Sequence, residues 1–171
     1  TSTDRGEGTA VAGESRSVVV RLSLDASQAI AASKQFGNEF DAAMLARACR
    51  EQQAVLMVDD AHGFGVLGPQ GEGAVAEQGL TVTDVPVYMA TLGKALGGFG
   101  AFVAGSRELV SYLTNFARPY IYTTAMPPAL AAAMRESLRI VREEAWRRQR
   151  LHVLIRRFRQ GVLAQGWQIM P

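Results

Sequence analysis

The chain has 171 residues, of which 48% are hydrophobic and 20% charged, a balance typical of a globular domain with its own core. The formal net charge of +2 is too small to indicate a nucleic-acid partner, and no apolar run approaches the ~20 residues that cross a bilayer. The N-terminus lacks the layout of a secretory signal, so we expect a cytoplasmic protein without membrane association. The single cysteine, Cys49, is interpreted as a small buried hydrophobe.

The first half of the chain predicts a strand, a helix and a second strand. Residues 1–16 have no periodicity and predict a loose tail. The β-branched run 17–24 predicts a strand, 40–52 an amphipathic helix and the apolar run 54–58 a second strand. This order is typical of a right-handed parallel crossover. The helical spacing predicts an inner face made of Phe40, Met44, Leu45 and Ala48.

The second half continues the alternation of strands and helices. Strands are predicted over 85–90, 101–104 and 120–123. A helix is predicted from Ser106 to Phe116, and a long helix begins at Pro127-Pro128. The helical pattern resumes from Leu151 and ends near 161–166. Strands alternating with helices indicate an α/β fold with a mostly parallel sheet flanked by helices.

Chemically reactive side chains follow two of the predicted strands. Asp59, Asp60 and His62 follow the second strand, and Thr91 and Lys94 follow the third. Ligands of parallel sheets sit beyond the carboxyl ends of the strands. A lysine amine and a carboxylate delivered there are the groups that a pyridoxal 5'-phosphate (PLP) site requires. Thr91 could bind a phosphate oxygen, with a glycine-rich backbone close by.

Each of these residues also has a simpler interpretation. A loop lysine such as Lys94 is usually just solvated, and His62 could be a turn residue with a satisfied hydrogen bond. A carboxylate after a strand often caps the next turn. Adjacent strand residues point to opposite faces, so at most one of Asp59 and Asp60 can point into a given site.

Glycines crowd the segment from Gly63 to Gly73, which predicts a loop and excludes a helix. Gly63, Gly65 and Gly68 match the dinucleotide pattern G-x-G-x-x-G, but that fingerprint needs a helix that begins inside it. A nucleotide site is therefore disfavoured. The Gly93-Lys94 pair does not form a phosphate-loop motif either, and no Cys/His spacing supports a zinc site.

The C-terminal region carries a run of arginines that could suggest nucleic acid. We instead predict a solvated helix face, because acidic residues lie beside the arginines and apolar residues recur at helical spacing. The arginines are Arg142, Arg147, Arg148, Arg150, Arg156, Arg157 and Arg159, and the predicted inner stripe of the preceding helix is Leu130, Met134, Leu138 and Val141.

Three segments together resemble, in order and spacing, the α-oxoamine synthases. They are VDDAHGFGVLGPQGEG over 58–73, ATLGKALGGFGAFVAG over 90–105 and FARPYIYTTAMPPALAAA over 116–133. The resemblance implies the central part of the large domain of a fold-type I PLP enzyme, which acts as a homodimer with active sites at the subunit interface. It further implies that residues 17–145 are a partial PLP-binding large domain and that 146–171 form a helix leading to a truncated small domain. The family's chains are longer, which implies that this chain is a fragment.

The resemblance also implies a role for each candidate in catalysis and in holding the ring. By position, Lys94 is the Schiff-base lysine, Asp59 the partner of the pyridine nitrogen and His62 the partner of the ring hydroxyl.

Further residues are implied around the cofactor phosphate. Thr91 would bind the phosphate, and Thr123 and Thr124 would reach the phosphate of the neighbouring subunit's cofactor. Ser23 matches the serine of a turn in the family, and it too is expected at the cofactor.

Within the family the chain is most similar to the members that condense L-alanine with a pimeloyl thioester in biotin synthesis. The sister enzymes that condense glycine usually differ around the Asp-Asp-Ala-His-Gly segment. The thioester carrier, coenzyme A or an acyl carrier protein, is left open. Two alternatives remain open as well: a sister synthase that uses glycine, and a non-catalytic α/β binding or scaffold fragment.

Overall fold

The computed structural model describes residues 19–23 and 42–169. Within these ranges four strands form one sheet in the order β1-β2-β3-β4. The strands are β1 (Val19–Ser23), β2 (Val55–Asp59), β3 (Val87–Thr91) and β4 (Ala101–Gly105). β1, β2 and β3 are parallel, and β4 is antiparallel to β3. The prediction of a mostly parallel α/β sheet is confirmed, and the loose tail predicted for 1–16 lies outside the described residues.

Six helices are described between residues 42 and 169. They are α1 (Ala42–Glu51), α2 (Ala74–Glu77), α3 (Arg107–Phe116), α4 (Arg118–Ile121), α5 (Pro128–Glu143) and α6 (Ala145–Ala164). The predicted cap of α3 is present, since the Ser106 hydroxyl accepts a hydrogen bond from the Leu109 N–H at 3.2 Å. None of the described helices is long and apolar enough to span a bilayer.

The strand predicted over 120–123 is wrong, because residues 118–121 form the short helix α4. The N–H groups of Tyr120 and Ile121 both donate to the Ala117 carbonyl, at 2.9 and 3.0 Å. Pro119 lies in the first turn, where its missing N–H costs no hydrogen bond. The aromatic and β-branched residues that suggested a strand therefore lie in and just after a helical turn.

The predicted inner face of the first helix is wrong in part. The buried residues of α1 are Ala42, Ala46 and Cys49, and Leu45 packs against the same core as predicted, whereas Met44 and Ala48 are exposed. Phe40 lies outside the described residues. Small side chains on the inner face allow the helix to approach β2 closely, so the long side chain is the one left outside. The prediction that Cys49 is a buried hydrophobe is confirmed.

The main core lies between α1 and the sheet. Its buried members are Ala46, Cys49, Leu56, Val58 and Val85. Because β2 lies between β1 and β3, this core holds the middle of the described sheet in place. The position of β2 in turn sets where the residues that follow it emerge.

The C-terminal helices pack less than the sequence predicts. α5 and α6 are separated at Glu144, whose φ of −104° and ψ of 61° are not helical. Of the predicted inner stripe, Met134 is buried, whereas Leu138 is exposed. The buried end of Met134 lies against Gly98, where an added Cβ would come within 2.0 Å of it. α5 therefore packs on the segment between β3 and β4.

We expect Leu56→Ala to destabilise the chain by about 2–5 kcal/mol, because it removes a side chain that is only 1% exposed and leaves a cavity in the main core. Val82→Ala, at a position that is 80% exposed, is the matched control and should change the free energy of unfolding by less than about 0.5 kcal/mol. Urea unfolding followed by circular dichroism measures both. Equal effects of the two substitutions would show that Leu56 is not in a packed core.

Candidate active site

The carboxyl ends of the parallel strands bring several candidates to one edge of the sheet. Ser23 is the register partner of Asp59 on the neighbouring strand, and Asp59 is in turn the partner of Met89. Thr91 ends β3 two residues later. Asp59 is only 5% exposed, and one of its carboxylate oxygens accepts a hydrogen bond from the Ala61 N–H at 3.3 Å. The sheet thus places one buried carboxylate at the edge where the candidate lysine segment begins.

Lys94 and His62 meet beyond this edge. The Lys94 Nζ lies 2.7 Å from the His62 Nε2, although the two residues are 32 positions apart. An ammonium can donate to Nε2 when the imidazole is neutral and carries its proton on Nδ1. Lys94 is exposed and His62 half-buried, so the pair can be reached from solvent. The structure therefore brings together the amine and the imidazole that the sequence singled out.

Hydrogen bonds join the two ends of the segment that carries Lys94. The Leu92 N–H donates to the Gly100 carbonyl at 2.8 Å, and the Gly98 N–H donates to the Leu92 carbonyl at 2.9 Å. The Thr91 hydroxyl donates to the Gly100 carbonyl at 3.0 Å and accepts from the Gly93 N–H at 3.2 Å. Lys94 consequently projects from an ordered turn between two hydrogen-bonded strands.

Asp60 is completely buried and has a structural role at this edge. Its carboxylate accepts three hydrogen bonds: from the Gly63 N–H at 3.1 Å, from the Ala74 N–H at 2.7 Å and from the Tyr88 hydroxyl at 2.8 Å. The Asp60 N–H donates to the Met89 carbonyl at 2.8 Å. One side chain thereby joins both ends of the glycine-rich segment to β3.

Burial changes the pKa values of both Asp60 and Tyr88, which are hydrogen-bonded to each other. Loss of water raises the pKa of Asp60 above its ordinary value of 3.8, and the hydrogen bonds from Tyr88, Ala74 and Gly63 offset part of that rise. The nearby charge of Asp59 adds a smaller upward contribution to the pKa of Asp60. Burial, together with the adjacent carboxylate, also raises the pKa of Tyr88. Tyr88 therefore remains a hydroxyl donor at neutral pH.

The segment from Gly63 to Gly73 is a compact loop of turns, as predicted, and no helix begins within residues 63–68. The Gly65 N–H donates to the Gly71 carbonyl and the Gly73 N–H to the Leu67 carbonyl, both at 2.8 Å. A dinucleotide fingerprint needs a helix N-terminus at this point. Residues 63–68 therefore lack the helix N-terminus that the fingerprint needs.

Three aromatic rings connect the glycine-rich loop to the β3–β4 hairpin. The Phe64 ring lies 5.2 Å from that of Phe102 in an edge-on arrangement and 6.5 Å from that of Tyr88. Tyr88 and Phe102 are 6.2 Å apart. Edge-to-face pairs of this kind stabilise a contact beyond simple burial. They hold the loop that carries His62 against the hairpin that carries Lys94.

Arg148 departs from the predicted solvated arginine face. It is buried, and its guanidinium donates to the carbonyls of Val141 and Pro69, the latter at 3.1 Å. It thus ties the start of α6 to the end of α5 and to the glycine-rich loop. Arg156 and Arg157 are exposed, as the prediction requires. Helical spacing could not identify Arg148, because one of its partners, the Pro69 carbonyl, is 79 positions away in the chain.

The remaining predicted residues are placed by other parts of the chain. Thr123 and Thr124 are exposed in the segment between α4 and α5, and the Thr123 N–H donates to the Tyr120 carbonyl at 3.3 Å. The backbone of Ser23 lies beside Asp59 in the sheet. Among the candidates, the structure brings His62 and Lys94 into direct contact and places Asp59 at the end of β2.

The sequence pattern of the aminotransferase class I and II family matches residues 38–171. Because this match covers most of the chain, and the sheet edge presents the lysine and the carboxylate described above, the chain belongs to that family.

Among curated relatives, the chain is 61% identical over 126 residues to the 8-amino-7-oxononanoate synthase of Cellvibrio japonicus, a match that covers 74% of this chain and 32% of that protein. The solved 8-amino-7-oxononanoate synthase of Francisella tularensis is 37% identical with a TM-score of 0.62, covering 68% and 35% of the two chains. A structure of serine palmitoyltransferase (SPT) with PLP is 28% identical with a TM-score of 0.67, covering 72% and 31%. The chain spans about a third of the length of the curated relatives it matches.

We expect Gly73→Ala to destabilise the chain by about 1–3 kcal/mol more than the control Gly79→Ala. Both glycines have a positive φ, 107° and 69°, but a Cβ at Gly73 would come within 2.0 Å of an Asp60 carboxylate oxygen, whereas at Gly79 nothing lies within 4 Å. Thermal and urea unfolding of the two variants measures the difference. Equal destabilisation would mean that the carboxylate does not occupy the space beside Gly73.

The raised pKa of Asp60 predicts a pH dependence of stability. The folded chain binds this proton more tightly than the unfolded chain, so the contribution of Asp60 to stability is greatest below about pH 4 and falls as the pH rises through the raised pKa. Asp60→Asn cannot titrate. The stability advantage of the wild type over Asp60→Asn should therefore shrink between pH 4 and 7, as measured by urea unfolding at each pH. An advantage that grows with pH would contradict the raised pKa.

Proposed function

We propose that the chain carries the PLP-binding portion of an 8-amino-7-oxononanoate synthase. The observation that supports this most directly is the 2.7 Å approach of the Lys94 amine to the His62 imidazole beyond the carboxyl edge of the sheet. PLP accompanies a related structure with a similar fold, the SPT at 28% identity.

The spacing of the two side chains suits the chemistry of the cofactor. The aldehyde and the hydroxyl of PLP occupy neighbouring carbons of its ring, so the groups that bind them must themselves be neighbours. Lys94, which would take the aldehyde, and His62, which would hydrogen-bond to the hydroxyl, meet this requirement. Asp59, buried at the end of β2, would keep the pyridine nitrogen protonated.

Hydroxyl groups are proposed to hold the phosphate. Thr91 would donate its proton to a phosphate oxygen in place of the Gly100 carbonyl that now accepts it at 3.0 Å. Thr123 and Thr124 are exposed, and we propose that they reach the phosphate of a neighbouring subunit's cofactor in a homodimer. Ser23, the register partner of Asp59, is proposed to lie near the cofactor as well.

Lys94, Asp59 and His62 are each proposed to have a separate role in the proton transfers. Bound PLP supplies an electron sink for negative charge that develops on the substrate carbon. The Lys94 amine, once released from the cofactor, would remove the Cα proton of L-alanine as a general base. The carboxylate of Asp59 would hold the ring nitrogen in its cationic form throughout. The His62 imidazole, in contact with Lys94, would orient the amine and the ring hydroxyl.

For the whole protein we propose the decarboxylative condensation of L-alanine with a pimeloyl thioester. The new carbon–carbon bond joins Cα of alanine to the thioester carbonyl carbon, and carbon dioxide and the thiol are released to leave 8-amino-7-oxononanoate. The thiol carrier is coenzyme A or an acyl carrier protein. The 61% identity to the synthase of Cellvibrio japonicus supports this assignment.

The break at Glu144 supports a proposed division of the chain. We propose that residues 17–145 belong to the PLP-binding large domain and that 146–171 lead towards a small domain. Within the described residues, α5 ends at Glu143 and α6 begins at Ala145, so the helix is interrupted close to the proposed boundary.

A second candidate is a synthase that condenses a different amino acid. It is favoured by the structural similarity to SPT, with a TM-score of 0.67, but the sequence identity of 28% is far below the 61% to the alanine-using candidate. Mixing the PLP-loaded protein with L-alanine, glycine or L-serine separates the two, because the amino acid that is used perturbs the visible absorbance at the lowest concentration.

We expect borohydride reduction of the PLP-treated chain to attach the cofactor to Lys94. The sequence has two lysines, Lys34 and Lys94, so the chain contains its own control. Peptide mass spectrometry should find the pyridoxyl group on Lys94, and Lys94→Arg should abolish that modification whereas Lys34→Arg retains it. Modification of Lys34 or of the N-terminal amine alone would overturn the proposed site.

A further inference from the structure

We propose that the buried Asp60 and the half-buried Tyr88 form an anchor that sets the position of the His62 imidazole against Lys94, so that both are positioning residues of the PLP site. The inference deepens the proposed function and rests on it, because His62 matters for the cofactor only where PLP binds beside Lys94. It concerns two side chains that are not among the proposed ligands of the cofactor.

The first step is the attachment of His62 itself. His62 and Ala61 are the two residues between Asp60 and Gly63, and the Gly63 N–H is bound to the Asp60 carboxylate at 3.1 Å. The Phe64 N–H donates to the Asp60 carbonyl at 3.1 Å. The short turn that carries the imidazole is therefore closed at both ends by atoms of a single buried residue.

The second step is the attachment of this turn to β3, the strand that leads to Lys94. The other oxygen of the Asp60 carboxylate accepts from the Tyr88 hydroxyl at 2.8 Å and from the Ala74 N–H at 2.7 Å. The Tyr88 hydroxyl also lies 3.1 Å from the Glu72 carbonyl oxygen, near the far end of the glycine-rich loop. Because Tyr88 lies six residues before Lys94 on the same hairpin, the hydroxyl joins the histidine turn to the lysine segment.

The third step is the space around the carboxylate, which is narrow on two sides. A Cβ added to Gly63 would come within 2.1 Å of one Asp60 oxygen, and a Cβ added to Gly73 within 2.0 Å of the other. The carboxylate is thus enclosed by backbone on two sides and by Tyr88 on a third. A buried carboxylate that loses one of these donors retains an unsatisfied charge, so the surrounding turn must move to compensate.

The test uses Tyr88→Phe, which removes one hydroxyl and keeps the ring that packs on Phe64 and Phe102. The chain has two histidines, so His152→Gln leaves His62 as the sole source of imidazole signals in the proton NMR spectrum. In this background Lys94→Met should shift the His62 ring signal of the cofactor-free chain. We expect Tyr88→Phe to reduce that shift at least twofold and to weaken PLP binding about three- to tenfold.

Two controls separate positioning from general loss of stability. Tyr112→Phe removes a hydroxyl from a tyrosine that is 62% exposed. Leu56→Ala weakens the main core, on which the Tyr88 ring also packs, but removes no group that hydrogen-bonds to Asp60. Neither should change the effect of Lys94→Met on the His62 signal at temperatures where the variants are folded. Asp60→Asn replaces one carboxylate oxygen by an NH2 group, which then faces a backbone N–H that needs an acceptor. This substitution should therefore also reduce the Lys94-dependent shift of His62.

The outcomes of this test judge the anchor and the proposed function separately. If Tyr88→Phe lowers the unfolding temperature but leaves the Lys94-dependent shift of His62 and the PLP affinity unchanged, the anchor is refuted while the PLP site stands. If Lys94→Met does not shift the His62 signal in the chain that keeps Tyr88, the anchor is likewise refuted. If the wild type binds no PLP but the shift is present and depends on Tyr88, the proposed function fails and the anchor remains as a structural device.

Discussion

The buried carboxylate of Asp60 is the constraint around which the rest of the site is arranged. Within the described part of the chain, its charge is compensated by donors, two backbone N–H groups and the Tyr88 hydroxyl, at 2.7 to 3.1 Å. Such a group tolerates little displacement, because each lost donor leaves charge in a dry environment. The two ends of the glycine-rich loop and the third strand are therefore held in one geometry.

The arrangement gives different tasks to two adjacent acids. Asp59 ends its strand at the edge where the sheet would meet the cofactor, and Asp60 points into the loop that closes the same edge. Lys94 and His62 thus lie on the side that solvent can reach, and the Asp60 carboxylate lies buried behind them and holds their segments in place. Rigid support behind exposed reactive groups is the usual requirement for a precise site.

Sequence reasoning predicted candidate ligands of the cofactor but not the buried contacts behind them. Lys94, His62 and Asp59 stand out because reactive residue types follow apolar strands. Asp60 was seen only as one of two carboxylates, of which at most one could face the site, since its donors come from Gly63, Ala74 and Tyr88, up to 28 positions away. Arg148 was assigned to a solvated face for the same reason, because the Pro69 carbonyl that it binds is 79 positions away.

The order of residues was sufficient to predict the α/β class, the mostly parallel sheet and the glycine-rich loop, because these follow from local periodicity and from turn chemistry. It failed over the strand predicted for 120–123, where a helical turn covers 118–121, and over part of the inner face of the first helix. Which face a helix buries, and which polar group answers a buried charge, depends on the elements that pack against it. Those contacts exist only once distant segments have come together in space.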